Sequence, residues 1–423
     1  MHHLIVAATS YAAIKLKKTK KKSYKIGKRI VRRTRKSVIQ VHNELGRDVF
    51  RRAYRMHLET FLNLYSIVKE DLFQVMKYND NCRRGPNGRI HPSVILACAL
   101  RVFSGGDSYD LITTFGISKT MIHYSVDIVI ETICKCEALK VEFPTSHTDQ
   151  LRIAKGFEEK SVPKFKKCVG AVDGMLVWIS KPTEEECKKV GVGSAKFFCG
   201  RKKKFGLNLQ ATCDSNKKFL NNSIKFPGSC SDYMAFESTD LRRNLEMENF
   251  LHPSLCLFGD NAYINSKYMA TPYPNVSNGS KDNYNFYHSQ LRINIECAFG
   301  ILVNRWGILR CPSPKGFSID KVCRLVQCLC CLHNYLIDIN TELTRLSNTA
   351  QDDFYLQIQG AVPLESANFI PTQLLGSSRE TFGEEAEHRR SVRRQSNSGS
   401  NDMLPREILH DEVMEQDLRR PTR

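Results

Sequence analysis

Three acidic residues stand where the surrounding sequence is apolar. Asp173 interrupts VGAVDGMLVWI, a run that otherwise reads as a buried strand, and Asp260 ends the short strand SLCLFGD. Glu296 lies on the helical pattern NIECAFGILV. Its neighbours at helical spacing include Ile293, Phe299, Gly300 and Val303, which sets it on or beside the core-facing stripe. An ionised carboxylate taken out of water is costly unless it is paired or holds a metal. Three such acids in one segment point to convergence on a cation. Hard oxygen donors with few histidines nearby favour Mg²⁺ or Mn²⁺ over Zn²⁺. Each acid also has an ordinary role open to it: Asp173 before a turn at Gly174, Asp260 as a helix cap, Glu296 as the partner of Arg292 one turn back. Together, two strand-end acids and one helical acid match a divalent-metal site better than three separate roles.

The elements that must position these acids lie in residues 165–338. FKKCVGAVDGMLVWIS is β-rich. FGLNLQATCDSNKKFLNNSIKF reads as two strands joined by a turn at Asp214–Ser215–Asn216. PGSCSDYMAFESTDLRRNL leads through a turn into a helix, TPYPNVSNGSKDNYN reads as a loop, and HSQLRINIECAFGILVNRW as a long helix. Strands followed by helices in one unit predict an α/β fold, a sheet covered by helices. Upstream, residues 46–140 are helical. FRRAYRMHLETFLNLYSIVKEDLFQVM has apolar residues at helical spacing, and PSVILACALRVFSGG is a helix opened by Pro92 and stopped at Gly105–Gly106. SYDLITTF and SKTMIHYSVDIVIETIC, separated by Gly116, have helix-turn-helix spacing with Ser118 as a cap, a spacing that a plain helical hairpin shares. Residues 339–423 form a C-terminal extension. From 376 on it is rich in charge, Ser and Asn, and reads as largely disordered with at most one short helix near MLPREILHDEVMEQDL.

The composition narrows the class. At 423 residues, 41% hydrophobic and 25% charged, the chain is neither wholly disordered nor a fibrous rod. Its formal charge of +19 calls for a polyanionic partner. Residues 15–36 alone carry 13 Lys and Arg, and the first acid in the chain is Glu44, so residues 1–45 read as a basic, disordered arm. Such a block fits a nuclear address; a basic, acid-free start also resembles a mitochondrial transit segment. No apolar stretch reads as a membrane span. The 16 cysteines are scattered through apolar runs and read as reduced thiols. Cys328, Cys330, Cys331 and His333 invite a zinc reading, but they lie on an apolar helix with no second pair to complete four ligands.

Taken in order, GAVDG around Asp173, FPGSCSD ending at Asp232, GDNAY from Asp260, TPYP at 271–274, RINIECAFG around Glu296 and CCLHN at 330–334 resemble the DDE transposases of the PIF/Harbinger superfamily. FRRAYRMHLETFLNL and ALRVFSGGDSYDLITTFGISKTMI resemble the helical segment preceding that family's catalytic core, and Asp260 and Glu296 have the 35-residue separation of DD(35)E enzymes. The resemblance covers roughly residues 50–338. It implies an RNase H-like core with Asp173, Asp260 and Glu296 as catalytic acids holding two divalent ions, and Asp232 as a further acid of the metal site. It implies a nuclear DNA transposase with endonuclease and strand-transfer activity on terminal inverted repeats and a short A/T-rich target. A Myb-like accessory partner and a homo-oligomer go with that implication; the alternative is a domesticated relative that binds DNA or chromatin partners without transposing. This chain has Met175–Leu176 where many relatives have Thr-His. Residues suited to DNA are Lys119, Thr120 and His123, with Ser118 and Tyr124 beside them, on the second helix of the helix-turn-helix pair. Lys196, Arg201, Lys202, Lys203 and Lys204 in KFFCGRKKKFG, with Arg292 and Arg305 on the Glu296 helix, complete the set.

Overall fold

The computed structural model describes residues 34–76, 90–276, 278–349 and 403–421. Residues 1–33, which carry most of the basic arm, and residues 350–402 lie outside the described residues.

Local chemistry sets the first helices. Ser37 opens α1 (Val38–Leu45) with a reciprocal capping box to Gln40. The continuous apolar pattern after it divides into α2 (Arg47–Tyr54) and α3 (Leu58–Val75). Arg55, in the left-handed region at φ 63°, ends α2. Pro92 opens α4 (Pro92–Phe103), which stops at Ser104 just before the glycine pair. Asp107 caps α5 (Ser108–Phe115), Gly116 turns the chain at φ 63°, and Ser118 caps α6 (Lys119–Lys135) by accepting the Met121 N–H. A last helix, α7 (His147–Lys160), leads into the sheet.

The strands are β1 (Cys168–Trp178), β2 (Phe198–Cys199), β3 (Lys204–Cys213), β4 (Phe219–Pro227), β5 (Cys256–Phe258) and β6 (Met269–Ala270), with α8 (Glu184–Val190) ahead of β2. Two short helices, α9 (Asp232–Glu237) and α10 (Asp240–Asn244), separate β4 from β5. β1 is central, antiparallel to β3 on one side and parallel to β5 on the other; β4 lies antiparallel on β3 and β6 parallel on β5. The result is a mixed α/β fold. α11 (Ser280–Arg305) packs against β1, and α12 (Ile319–Thr349) against β4 and α6. α11 begins well before the predicted loop ends, because Asp282 in its first turn is buried against Arg420 of the C-terminal segment at 3.1 Å.

One apolar core runs from α1 through the sheet to α12. Phe103 of α4 meets Trp306 edge-to-face, and the Tyr335 hydroxyl of α12 donates to the Thr60 carbonyl of α3 at 2.7 Å. Ile319–Ile339 of α12 is long and apolar enough to cross a membrane, but 67% of it is buried inside the protein. Cys328, Cys330 and Cys331 lie in that buried stretch, where desolvation drives their thiols up. All three are enclosed among apolar side chains and pack as small hydrophobes.

The short helix expected near MLPREILHDEVMEQDL is present, but it is docked on the core and not part of a free tail. Residues 403–421 return to the core as α13 (Pro405–Glu415), with Leu409 and Val413 fully buried. The Tyr287 hydroxyl donates to the Arg419 carbonyl at 2.9 Å, and the Gln416 amide to the Pro163 carbonyl at 2.8 Å. Two apolar anchors are too few to show as a periodic pattern, which is why composition alone reads as a tail. Leu409→Ala is therefore expected to cost about 2–5 kcal/mol of stability in the full-length chain. A denaturant titration checks it; an unchanged midpoint would mean that the segment is not part of the core.

Candidate active site

The parallel register of β1 and β5 sets Ala171 against Phe258, so Asp173 and Asp260, each two residues further on, emerge at the same level. Asp173 is not a strand-end residue: β1 continues to Trp178, with Asp173 opposite Ala211 and Gly174 opposite Gln210 of β3. One Asp173 oxygen accepts the Gly174 N–H at 2.7 Å. Burial drives its pKa up to about 7, Asp260 pushes in the same direction, and Arg292 opposes both. Asp260 lies just past β5, where its carboxylate accepts the Ala262 N–H at 2.8 Å.

The α11 side chains meet this pair. Arg292 donates through Nη1 to Asp173 Oδ2 at 3.2 Å and through Nη2 to Glu296 Oε1 at 2.5 Å. Burial works against the Arg292 charge, but Glu296 and Asp173 outweigh it and raise its pKa. Glu296 is not on the core stripe: its side chain is 48% exposed, and Ile295, Ala298, Phe299 and Leu302 face inward instead. The partnership with Arg292 that the spacing allowed is therefore formed, alongside the approach to Asp173.

Asp232 is the first residue of α9, whose cap is Ser231, so a capping role for Asp232 is excluded. Its Oδ1 accepts the side-chain amides of Asn208 at 2.9 Å and Gln210 at 3.0 Å. The hydroxyl of Tyr263, three residues after Asp260, donates to Gln210 Oε1 at 2.7 Å. Burial and then the charges of Asp173, Asp232 and Asp260 raise the Tyr263 pKa, so all three carboxylates act on this one hydroxyl. Sequence reasoning missed Asn208, Gln210 and Tyr263. The available signal was two amides on one face of an apolar strand, in FGLNLQATC.

The donors fit a hard divalent cation. All are carboxylate oxygens, and burial with Asp260 beside it drives Asp173 up even though Arg292 opposes the shift. The guanidinium of Arg292 stands between Asp173 and Glu296 as a stand-in cation. Among the described residues no three acids close around a single point as they stand. Leu176 packs over Gly206 and Gly228, where any Cβ would collide with it, so it is a packing residue.

The basic candidates fall in two places. Arg201, Lys202, Lys203 and Lys204 are exposed on the turn between β2 and β3 and into β3, with Lys204 3.9 Å from the Trp178 ring centroid, and Lys196 is exposed on the turn just ahead of β2. The Ser229 N–H donates to the Lys196 carbonyl at 3.1 Å, which ties this turn to the PGS turn ahead of Asp232. Ser118, Lys119, Thr120, His123 and Tyr124 form a separate exposed face at the start of α6. Arg305 is turned inward: it donates to the His333 carbonyl at 3.3 Å, and burial lowers its pKa to about 10, which removes it from the phosphate-binding set.

With this geometry in place, residues 172–334, which run from β1 through the PGS turn and α11 into α12, match the DDE superfamily endonuclease family. This core is a DDE superfamily endonuclease domain. The chain is 23% identical to the ALP1-like protein of Arabidopsis thaliana, over 69% of this chain and 71% of that one. It is 24% identical to Antagonist of Like Heterochromatin Protein 1 of the same plant, over 68% and 73%. HARBI1 of Xenopus laevis is 22% identical over 68% of this chain and 79% of its own. No solved structure matches.

The crowding at Asp173 has a measurable consequence. Its native pKa of about 7 lies above the unfolded carboxylate value near 4, so between those pH values the native state holds a proton that the unfolded chain releases. Its contribution therefore lowers stability as pH rises from about 4 to about 7. Asp173→Asn, which cannot titrate, is expected to show a flatter melting profile across that window and to melt above wild type at pH 8. Melting scans in EDTA check this; parallel profiles for the two proteins would contradict it.

Proposed function

We propose that this endonuclease domain is a divalent-metal-dependent DNA transposase with an RNase H-like core, in which Asp173, Asp260 and Glu296 are the catalytic acids and Asp232 a further metal ligand. The sheet order β4-β3-β1-β5-β6, in which β3 alone of these strands runs antiparallel to central β1, supports the RNase H-like reading. The single observation that carries the function is the level emergence of Asp173 and Asp260 from adjacent parallel strands, with Arg292 and Glu296 brought over them by α11.

A pair of Mg²⁺ or Mn²⁺ ions bound by these acids would supply the Lewis acidity that activates a water or 3′-hydroxyl and stabilises the leaving oxygen of a phosphodiester. The chain's own groups do the positioning. Asp173 and Asp260 are fixed to strands and present oxygens from the sheet. Glu296 presents its carboxylate from the solvent side, where a polymeric substrate has access. Arg292 offers to a phosphate the same fork that it offers to two carboxylates. Arg201, Lys202, Lys203 and Lys204 supply charge along the backbone, and the face with Lys119, Thr120 and His123 supplies polar groups for base edges or phosphates. This reading makes transposon terminal inverted repeats and a short A/T-rich target the DNA partners, and the nucleus the place of action. A Myb-like accessory protein and a homo-oligomer remain part of it, and no membrane is.

A second reading is a domesticated protein that binds DNA or chromatin partners without transposing. The Arabidopsis relative named as an antagonist of a heterochromatin protein favours it, as does the engagement of Asp173 and Glu296 by Arg292. Cleavage of labelled element ends in Mg²⁺, Mn²⁺ or EDTA separates the two. For a nuclease, Glu296→Gln is expected to abolish metal-dependent cutting while the protein stays folded and DNA-bound; normal cutting by this variant would overturn the catalytic assignment. Replacing Arg201, Lys202 and Lys203 by Gln is expected to lower the log–log salt slope of DNA binding by about 3. An unchanged slope in a salt titration would show that these charges do not meet phosphate.

A further inference from the structure

Asn208 and Gln210 are two apart on β3 and so share a face of the sheet. They are 7% and 2% exposed, and buried amides are costly unless their donors and acceptors are met. Here the bonds have one consistent direction. Tyr263 donates its hydroxyl to Gln210 Oε1 at 2.7 Å. That acceptor assignment turns Gln210 Nε2 the other way, where it donates to Asn208 Oδ1 at 2.8 Å and to Asp232 Oδ1 at 3.0 Å. Asn208, with its oxygen engaged, donates Nδ2 to the same Asp232 oxygen at 2.9 Å and to the Cys230 carbonyl at 3.1 Å. A phenol can serve here as donor to an amide oxygen, so the Tyr263 hydroxyl sets the orientation of both amides.

Gly174 makes the arrangement possible. It lies opposite Gln210 and next to Asp173, and a Cβ there would collide with both Asp232 Oδ1 and the Gln210 amide. Asp232 is thus pressed against the backbone of the strand that carries Asp173. Two donors hold one of its oxygens, and Oδ2 has no hydrogen bond among the described residues.

We infer that Tyr263, Gln210 and Asn208 form a positioning clamp that fixes Asp232 as a working member of the acid site, with Oδ2 presented as its ligand oxygen. The inference rests on the metal-dependent reading above. None of the three touches the reacting atoms; they act through Asp232. The clamp also joins two acids that arrive on different segments, because Tyr263 belongs to the turn after Asp260 and Asp232 opens α9.

The test titrates Mn²⁺ into the full-length protein and follows the free Mn²⁺ resonance, with melting in EDTA and steady-state cleavage measured in parallel. Tyr263→Phe removes only the hydroxyl that orients the amides, and Gln210→Glu replaces the N–H facing Asp232 with an oxygen. Each is expected to weaken Mn²⁺ binding about tenfold, the usual scale for a group that orients a metal ligand. Each should lower kcat with little change in KM for DNA, and raised Mn²⁺ should restore the Tyr263→Phe rate. Melting of Tyr263→Phe in EDTA should match wild type; if it does not, Asn208→Asp, which keeps the size and the acceptor, decides by the same Mn²⁺ titration. Wild-type Mn²⁺ affinity in these variants, while Asp173→Asn loses binding, overturns the clamp and leaves the metal site standing. Wild-type affinity in Asp173→Asn as well overturns both.

Discussion

Two carboxylates emerge level with each other from neighbouring parallel strands, and the surrounding structure is arranged about their charge. The β1–β5 register fixes that closeness, and a register slip of one residue would turn either acid to the opposite face of the sheet. Asp173 is enclosed enough that burial and Asp260 together drive it up to about 7. Such a pair needs positive charge close by, because leaving buried charge unpaired costs more than the pairing returns. Arg292 supplies it, from a 26-residue helix long enough to bring Arg292 and Glu296 to the sheet while also packing against α12. The amides of β3 fit the same constraint: beside Asp173 the strand carries Asn208 and Gln210, which donate to a third acid without adding negative charge.

Much of this site was legible because the sequence breaks its own rule there. An Asp inside an apolar strand is a local anomaly, so Asp173 and Asp260 could be found from neighbours alone. Glu296 was singled out for the wrong reason. Helical spacing sets it on or beside the core stripe, yet it is half-exposed and pairs with Arg292. The turn at Asp214 and the cap at Ser118 were readable for the opposite reason: each is decided within a few residues of chain. What was not readable depends on distant segments. Arg55 ends α2 inside an unbroken apolar pattern, α13 docks through two apolar side chains, and the link from Tyr263 to Asp232 crosses three elements.

The two basic surfaces differ in what their physics allows. The 201–204 turn places four consecutive cations in solvent, free to follow a flexible polyanion, and contributes affinity that salt screens. Rising about 3.4 Å per residue, β3 sets Lys204 about 20 Å from Gln210, so a backbone bound at the turn would extend several nucleotides before reaching the acids. The α6 face carries a single cation, Lys119, among Ser118, Thr120, His123 and Tyr124 on a helix held rigidly against α4 and α12. A rigid polar face with little net charge is suited to geometry more than to long-range attraction. Under the proposed reading, recognition and retention of DNA are thus assigned to different parts of the chain.

The contrast between enclosed Asp173 and exposed Glu296 bears on how such a site could be regulated. Asp173 cannot escape its strand, so any change in the charge around it must come from the helix side. The helix-side cation is Arg292, and the same fork that bridges two carboxylates can bridge a phosphate. If Arg292 transferred to a DNA phosphate, Asp173 and Glu296 would lose their shared partner together, and the local demand for another cation would rise at the moment substrate arrives. Electrostatics alone would then couple DNA binding to cation affinity, and by reciprocity a bound cation would favour DNA, without any movement of the sheet.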